Sequence, residues 1–126
     1  MGYTWGETQP AGETTKNWTA CKSNSDGSYL MAIESNKLYL SSNGGTSWEL
    51  VDPSGSGKAV GYIAMSSTGE KMMAGSNGYL YVSTNYGEDW TFNEYPWFDN
   101  VYAILDDVEI SGDGSKFFVG VSITPP

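Results

Sequence analysis

Ser41-Ser42-Asn43-Gly44-Gly45-Thr46-Ser47-Trp48 and Ser83-Thr84-Asn85-Tyr86-Gly87-Glu88-Asp89-Trp90 are two versions of one turn, with the shared frame Ser-x-Asn-x-Gly-x-x-Trp. Their tryptophans stand 42 positions apart (90 − 48), and three such periods span the 126 residues. A fixed period of about 20–50 residues is the mark of solenoids, propellers and arrays. In this frame Ser and Asn side chains bond the loop's own backbone, Gly takes the positive-φ position, and Trp brings a large apolar area to the end of the turn.

Working outward from the two turns exposes a four-strand unit. In the first copy, apolar and aromatic runs at 18–21, 29–33, 38–41 and 48–51 are separated by turns at 25–28, 34–37 and 43–45. The second copy repeats the order with runs at 61–65, 71–74, 79–82 and 90–92, and Gly27 and Gly69 keep the 42-residue spacing. Short runs bounded by Gly, Asn, Asp or Ser read as strands. A third copy is split between the ends. Runs at 101–105 and 116–121 open it, with a short third strand over 122–124, while Gly2-Tyr3-Thr4-Trp5 matches Gly45-Thr46-Ser47-Trp48 and supplies its last strand. Its first turn arrives about three residues late, so a bulge is expected near Asp106-Asp107. The resulting division is residues 1–12 as the last strand of a shared blade, 13–56 and 57–100 as two blades, and 101–126 as the opening strands of the shared blade.

Composition agrees with many short strands and excludes several functions. The chain has 16 glycines, nine tyrosines and five tryptophans, and no stretch keeps a glycine-free helical apolar pattern. Its net charge is −9, and all six basic residues are lysines. A phosphate backbone is repelled by that charge, and without arginine there is no bidentate phosphate or carboxylate fork. Nucleic acid and anionic membranes are therefore not expected partners. The absence of histidine removes triad nucleophiles and the usual zinc sites, and no cofactor or metal is expected. No signal peptide or membrane-spanning run is visible in these residues. Cys21, the single cysteine, has apolar neighbours and is expected to be buried.

Residues 41–48 and 83–90 resemble the Asp-box, or bacterial neuraminidase repeat, of sialidase-like β-propellers. That motif, Ser/Thr-x-Asp-x-Gly-x-Thr-Trp, joins the third and fourth strands of a blade; here Asn43 and Asn85 stand where Asp is usual. The resemblance implies an all-β propeller of four-stranded antiparallel blades, about three per chain. It gives structural turn roles to Ser41, Asn43, Gly45, Trp48, Ser83, Asn85, Gly87 and Trp90, and to Gly2 and Trp5 in the split copy. Because Asn keeps the acceptor oxygen, Asn→Asp at 43 or 85 is expected to be nearly neutral. The resemblance does not carry sialidase activity, which uses three arginines to hold the substrate carboxylate.

The candidate binding surface is the loop Asn93-Glu94-Tyr95-Pro96-Trp97-Phe98-Asp99-Asn100. Tyr95, Trp97, Phe98 and Asp99 combine stacking rings with polar neighbours, suited to a glycan or an apolar protein surface, and equally to filling the gap between blades. Asp106, Asp107 and Glu109 are the candidate central carboxylates, read either as an acid/base pair or as solvated lining. Two classes stay open. One is a non-catalytic, self-assembling propeller module acting as scaffold or lectin-like binding surface, natural or an excised or engineered piece of a larger ring; the other is a glycan-active hydrolase. The bulk chemistry favours the first. Three blades are too few for a ring, since propellers use about four to eight, so the expected partner is the chain itself. A homodimer of six blades is the first expectation and a homotrimer of nine the second.

Overall fold

The computed structural model describes residues 6–12, 16–76, 79–93 and 103–123. Every regular element among them is a strand. β1 (Trp18–Ser23), β2 (Leu30–Glu34), β3 (Lys37–Ser41) and β4 (Glu49–Val51) form one antiparallel sheet in sequence order. β5 (Tyr62–Met65), β6 (Met72–Ser76), β7 (Tyr79–Ser83) and β8 (Thr91–Phe92) form a second with the same order. β9 (Ala103–Ile110) and β10 (Phe117–Ile123) pair as a third. The fold is all-β, built from four-stranded antiparallel sheets, and no sheet closes on itself among the described residues. Trp48 and Trp90 each directly precede the outer strand of their sheet, β4 and β8.

The register of the first two sheets is one register repeated at 42 residues. Tyr39 pairs with Leu50 and Tyr81 with Phe92; Met31 pairs with Leu40 and Met73 with Val82. Alternation along the strands then sends neighbouring side chains to opposite faces. Ile63, Met65, Met72 and Ala74 of the middle sheet meet Met31, Ile33, Leu38 and Leu40 of the first. Ala64, Met73 and Leu80 point the other way, onto Leu105, Val108 and Ile110 of the third. The middle sheet is therefore apolar on both faces, which explains why 62–65 and 72–75 lack the polar alternation of a half-exposed strand.

Three local expectations need revision. Ser122 and Ile123 do not start a third strand of the last unit; they extend β10, paired with Ile104 and Ala103. The cause is the bulge itself. β9 loses register between Asp107, opposite Gly120, and Leu105, opposite Val121, which leaves Asp106 unpaired at the expected place and lengthens both strands. Residues 6–12 hold no strand. An extended segment becomes a strand only through a ladder partner, and none is found for it among the described residues. Thr8 instead anchors this segment, donating to the Gly45 carbonyl (2.6 Å) and accepting from Trp48 Nε1 (2.7 Å). Finally, Cys21 is exposed. It lies on the face of β1 that no other sheet covers among the described residues.

Candidate functional site

The two motif turns are built from the same set of bonds. In the first, the buried Ser41 hydroxyl donates to Asn43 Oδ1 (3.0 Å) and accepts the Gly45 N–H (2.8 Å). Asn43 Oδ1 also accepts the Ser47 N–H at 2.9 Å. In the second, Ser83 donates to Asn85 Oδ1 (3.1 Å) and accepts the Gly87 N–H (2.8 Å), and Asn85 Oδ1 accepts the Asp89 N–H at 2.9 Å. Two successive left-handed residues close each loop, Gly44 and Gly45 in one, Tyr86 and Gly87 in the other. Tyr86 accepts that backbone while its ring stacks on Tyr29, 4.9 Å away, in the neighbouring unit. These are structural turns, and each Trp indole is also tied down: Trp90 Nε1 donates to the Gly87 carbonyl (3.0 Å), Trp48 Nε1 to Thr8.

The two asparagines differ in what their amide nitrogens meet. Asn43 Nδ2 donates to the Ser47 hydroxyl (2.8 Å), whereas Asn85 Nδ2 donates to the Asp89 carboxylate (2.8 Å). Alanine at either position is expected to cost about 1–2 kcal/mol through lost side-chain–backbone bonds. Asn43→Asp should be nearly neutral, because the Ser47 hydroxyl can turn and donate. Asn85→Asp sets two carboxylates together and should destabilise at pH 7, which revises the expectation of equal tolerance. Urea melts of the four variants check this; an Asn85→Asp protein as stable as Asn43→Asp would contradict the pairing with Asp89.

A second turn repeats three times, joining the first two strands of each unit. Gly27, Gly69 and Gly114 all have positive φ and donate back to the carbonyls of Asn24, Ser66 and Ser111. The side chains of those same three residues accept the N–H groups of Tyr29, Lys71 and Lys116. Spacing of the glycines identified the turn in the sequence, but its anchors at 24, 66 and 111 escaped notice because Asn and Ser share little beyond a short acceptor. Consecutive turns are stitched together: the Ser25 N–H donates to the Ser67 carbonyl, and the Ser67 N–H to the Gly112 carbonyl, both at 2.8 Å.

Within these turns Asp26 and Asp113 serve as acceptors rather than cation ligands. The Ser115 hydroxyl and N–H, then the Ser111 hydroxyl, hold Asp113 down to about 2. The Ser28 hydroxyl and N–H likewise lower Asp26. A depressed folded-state value means these bonds contribute fully above about pH 4, where the unfolded carboxylate ionises, and fade as pH falls through about 2. Melting temperature should accordingly fall less steeply from about pH 4 to about pH 2 in an Asp26→Asn, Asp113→Asn double variant than in the parent. Coincident slopes would show that the serines do not hold these charges.

Among the other sequence candidates, Tyr95, Trp97, Phe98 and Asp99 lie outside the described residues, as do Gly2 and Trp5. Asp106, Asp107 and Glu109 are exposed along β9. Asp106 accepts from the Ser122 hydroxyl, and Asp107 Oδ1 accepts the Val108 N–H at 2.9 Å. No group of three or more His, Cys, Asp or Glu side chains suited to a metal occurs among the described residues. The most apolar concavity is a cleft of about 690 Å³ on the outward face of the first sheet, bordered by Thr8, Pro10, Trp18, Leu30, Ala32 and Trp48. Comparison with known proteins gives no match to a family model and none to a curated protein.

Proposed function

We propose that this chain is a non-catalytic, self-assembling module of an Asp-box-type β-propeller, working as a scaffold or binding surface. The observation that carries the reading is the direction of the sheet packing. The face of the first sheet holding Met31 and Leu38 covers the middle sheet, and the corresponding face of the middle sheet, with Met73 and Leu80, covers the third. Repeat units of this kind bury their faces on neighbours, and a head-to-tail contact continues until rotation closes it. Two copies supply six units, inside the usual range of about four to eight.

Light scattering on the purified chain tests the proposal. A dimer has a mass of 27.4 kDa, twice the 13.7 kDa chain, and a trimer three times that mass. Added salt should tighten the assembly, because each copy carries a charge of −9 and screening relieves the repulsion. A 13.7 kDa species that persists as protein and salt concentrations rise would end the proposal.

A further inference from the structure

Resting on that reading, we infer that the exposed face of the third sheet docks on the outward face of the first sheet of a second copy, with Phe118 seated against the cleft beside Trp18 and Lys116 at the Gly27 turn. Three series within the chain, each lacking one member, fix this register.

The first series is apolar. Aligned on their turn glycines, Met31, Met73 and Phe118 are equivalent positions on the second strand of each unit. Met31 and Met73 are fully buried against the next sheet, whereas Phe118 is 55% exposed, and Ile104 beside that face is 44% exposed. On the receiving side, Ile63, Met72 and Ala74 are buried by the first sheet. Their counterparts at minus 42 are Cys21, Leu30 and Ala32, and these border the 690 Å³ cleft.

The second series is the turn ladder. Ser25 donates to Ser67 and Ser67 to Gly112, so the Gly112 N–H and the Ser25 carbonyl are the complementary ends of one chain of bonds. The third series is the occupant of each turn glycine. A Cβ on Gly69 would sit 3.1 Å from Tyr29, and one on Gly114 would sit 3.0 Å from Lys71, whose Nζ donates to the Gly114 carbonyl. Gly27 has open space instead. The next occupant in order is Lys116, which is exposed, and Asp26 adjoins Gly27 to meet its charge. Apolar surface, backbone bonds and charge thus agree on one partner, a second copy in the same orientation that relates the sheets within the chain.

Phe118→Glu and Cys21→Glu block opposite ends of this junction, at positions exposed in the single chain, so the fold should survive; near-ultraviolet circular dichroism verifies that. Each variant alone should scatter as a 13.7 kDa monomer. An equimolar mixture should regain a 27.4 kDa species, twice the chain mass, because the intact third sheet of the Cys21→Glu chain still fits the intact first sheet of the Phe118→Glu chain. If both variants keep the parent's assembled mass, or the mixture stays monomeric, this junction is wrong while self-assembly stands. A parent chain that is itself monomeric would remove both.

Discussion

Gly87→Ala is expected to destabilise the protein by about 3 kcal/mol. Gly87 has φ of +84°, where a Cβ costs about 1–2 kcal/mol. The new methyl would also lie 2.6 Å from Leu40 Cδ2 and 3.1 Å from Met72 Sδ, in the core between the first two sheets. Overpacking of a filled core adds about 1–3 kcal/mol. Gly45→Ala is the internal control. It shares the left-handed backbone, but its nearest neighbour is the Leu30 side chain at 3.3 Å, so only the backbone term of about 1–2 kcal/mol should remain. Urea denaturation of both variants at one protein concentration measures the difference, since association shifts apparent stability by mass action. Equal losses would mean that the second turn is not pressed into the first sheet as described.

Met72→Ala should be comparably severe, at about 2–5 kcal/mol. Its side chain is fully buried in the cluster of Met31, Ile33, Leu38 and Leu40 on one side and Ile63 and Ala74 on the other. Truncation leaves a cavity that strands tied by ladders on both edges cannot collapse to fill. Met72→Leu, which nearly conserves volume, should cost less than about 1.5 kcal/mol. The pair separates packing from chemistry; a leucine variant as unstable as the alanine one would contradict a simple cavity.

Much of this structure was legible in the chain because its signals are local. The Ser41–Trp48 frame and its copy at 83–90 specify a turn whose donors and acceptors lie within a few residues of each other, so spacing alone locates it. The late turn glycine at 114 likewise exposed the extra residue that the sheet absorbs at Asp106. The errors arose where a partner distant in sequence decides. Cys21 has apolar neighbours along the chain, yet burial is set by which sheet covers its face, and among the described residues none does. Ser122 and Ile123 look like the start of a strand, but the bulge in β9 gives them a ladder on the preceding one.

The sequence by itself determined the repeat, the turn chemistry and the all-β class, since period-2 patterning and glycine placement act over a handful of residues. Only the tertiary structure decided the direction in which the units stack. Strand alternation defines two faces for every sheet, but both faces of 62–65 and 72–75 are apolar, so the pattern cannot say which one meets which neighbour. The answer lies in contacts between units: Met72 beneath Leu40, Met73 against Leu105, and the Ser25–Ser67–Gly112 bonds that hold successive turns together.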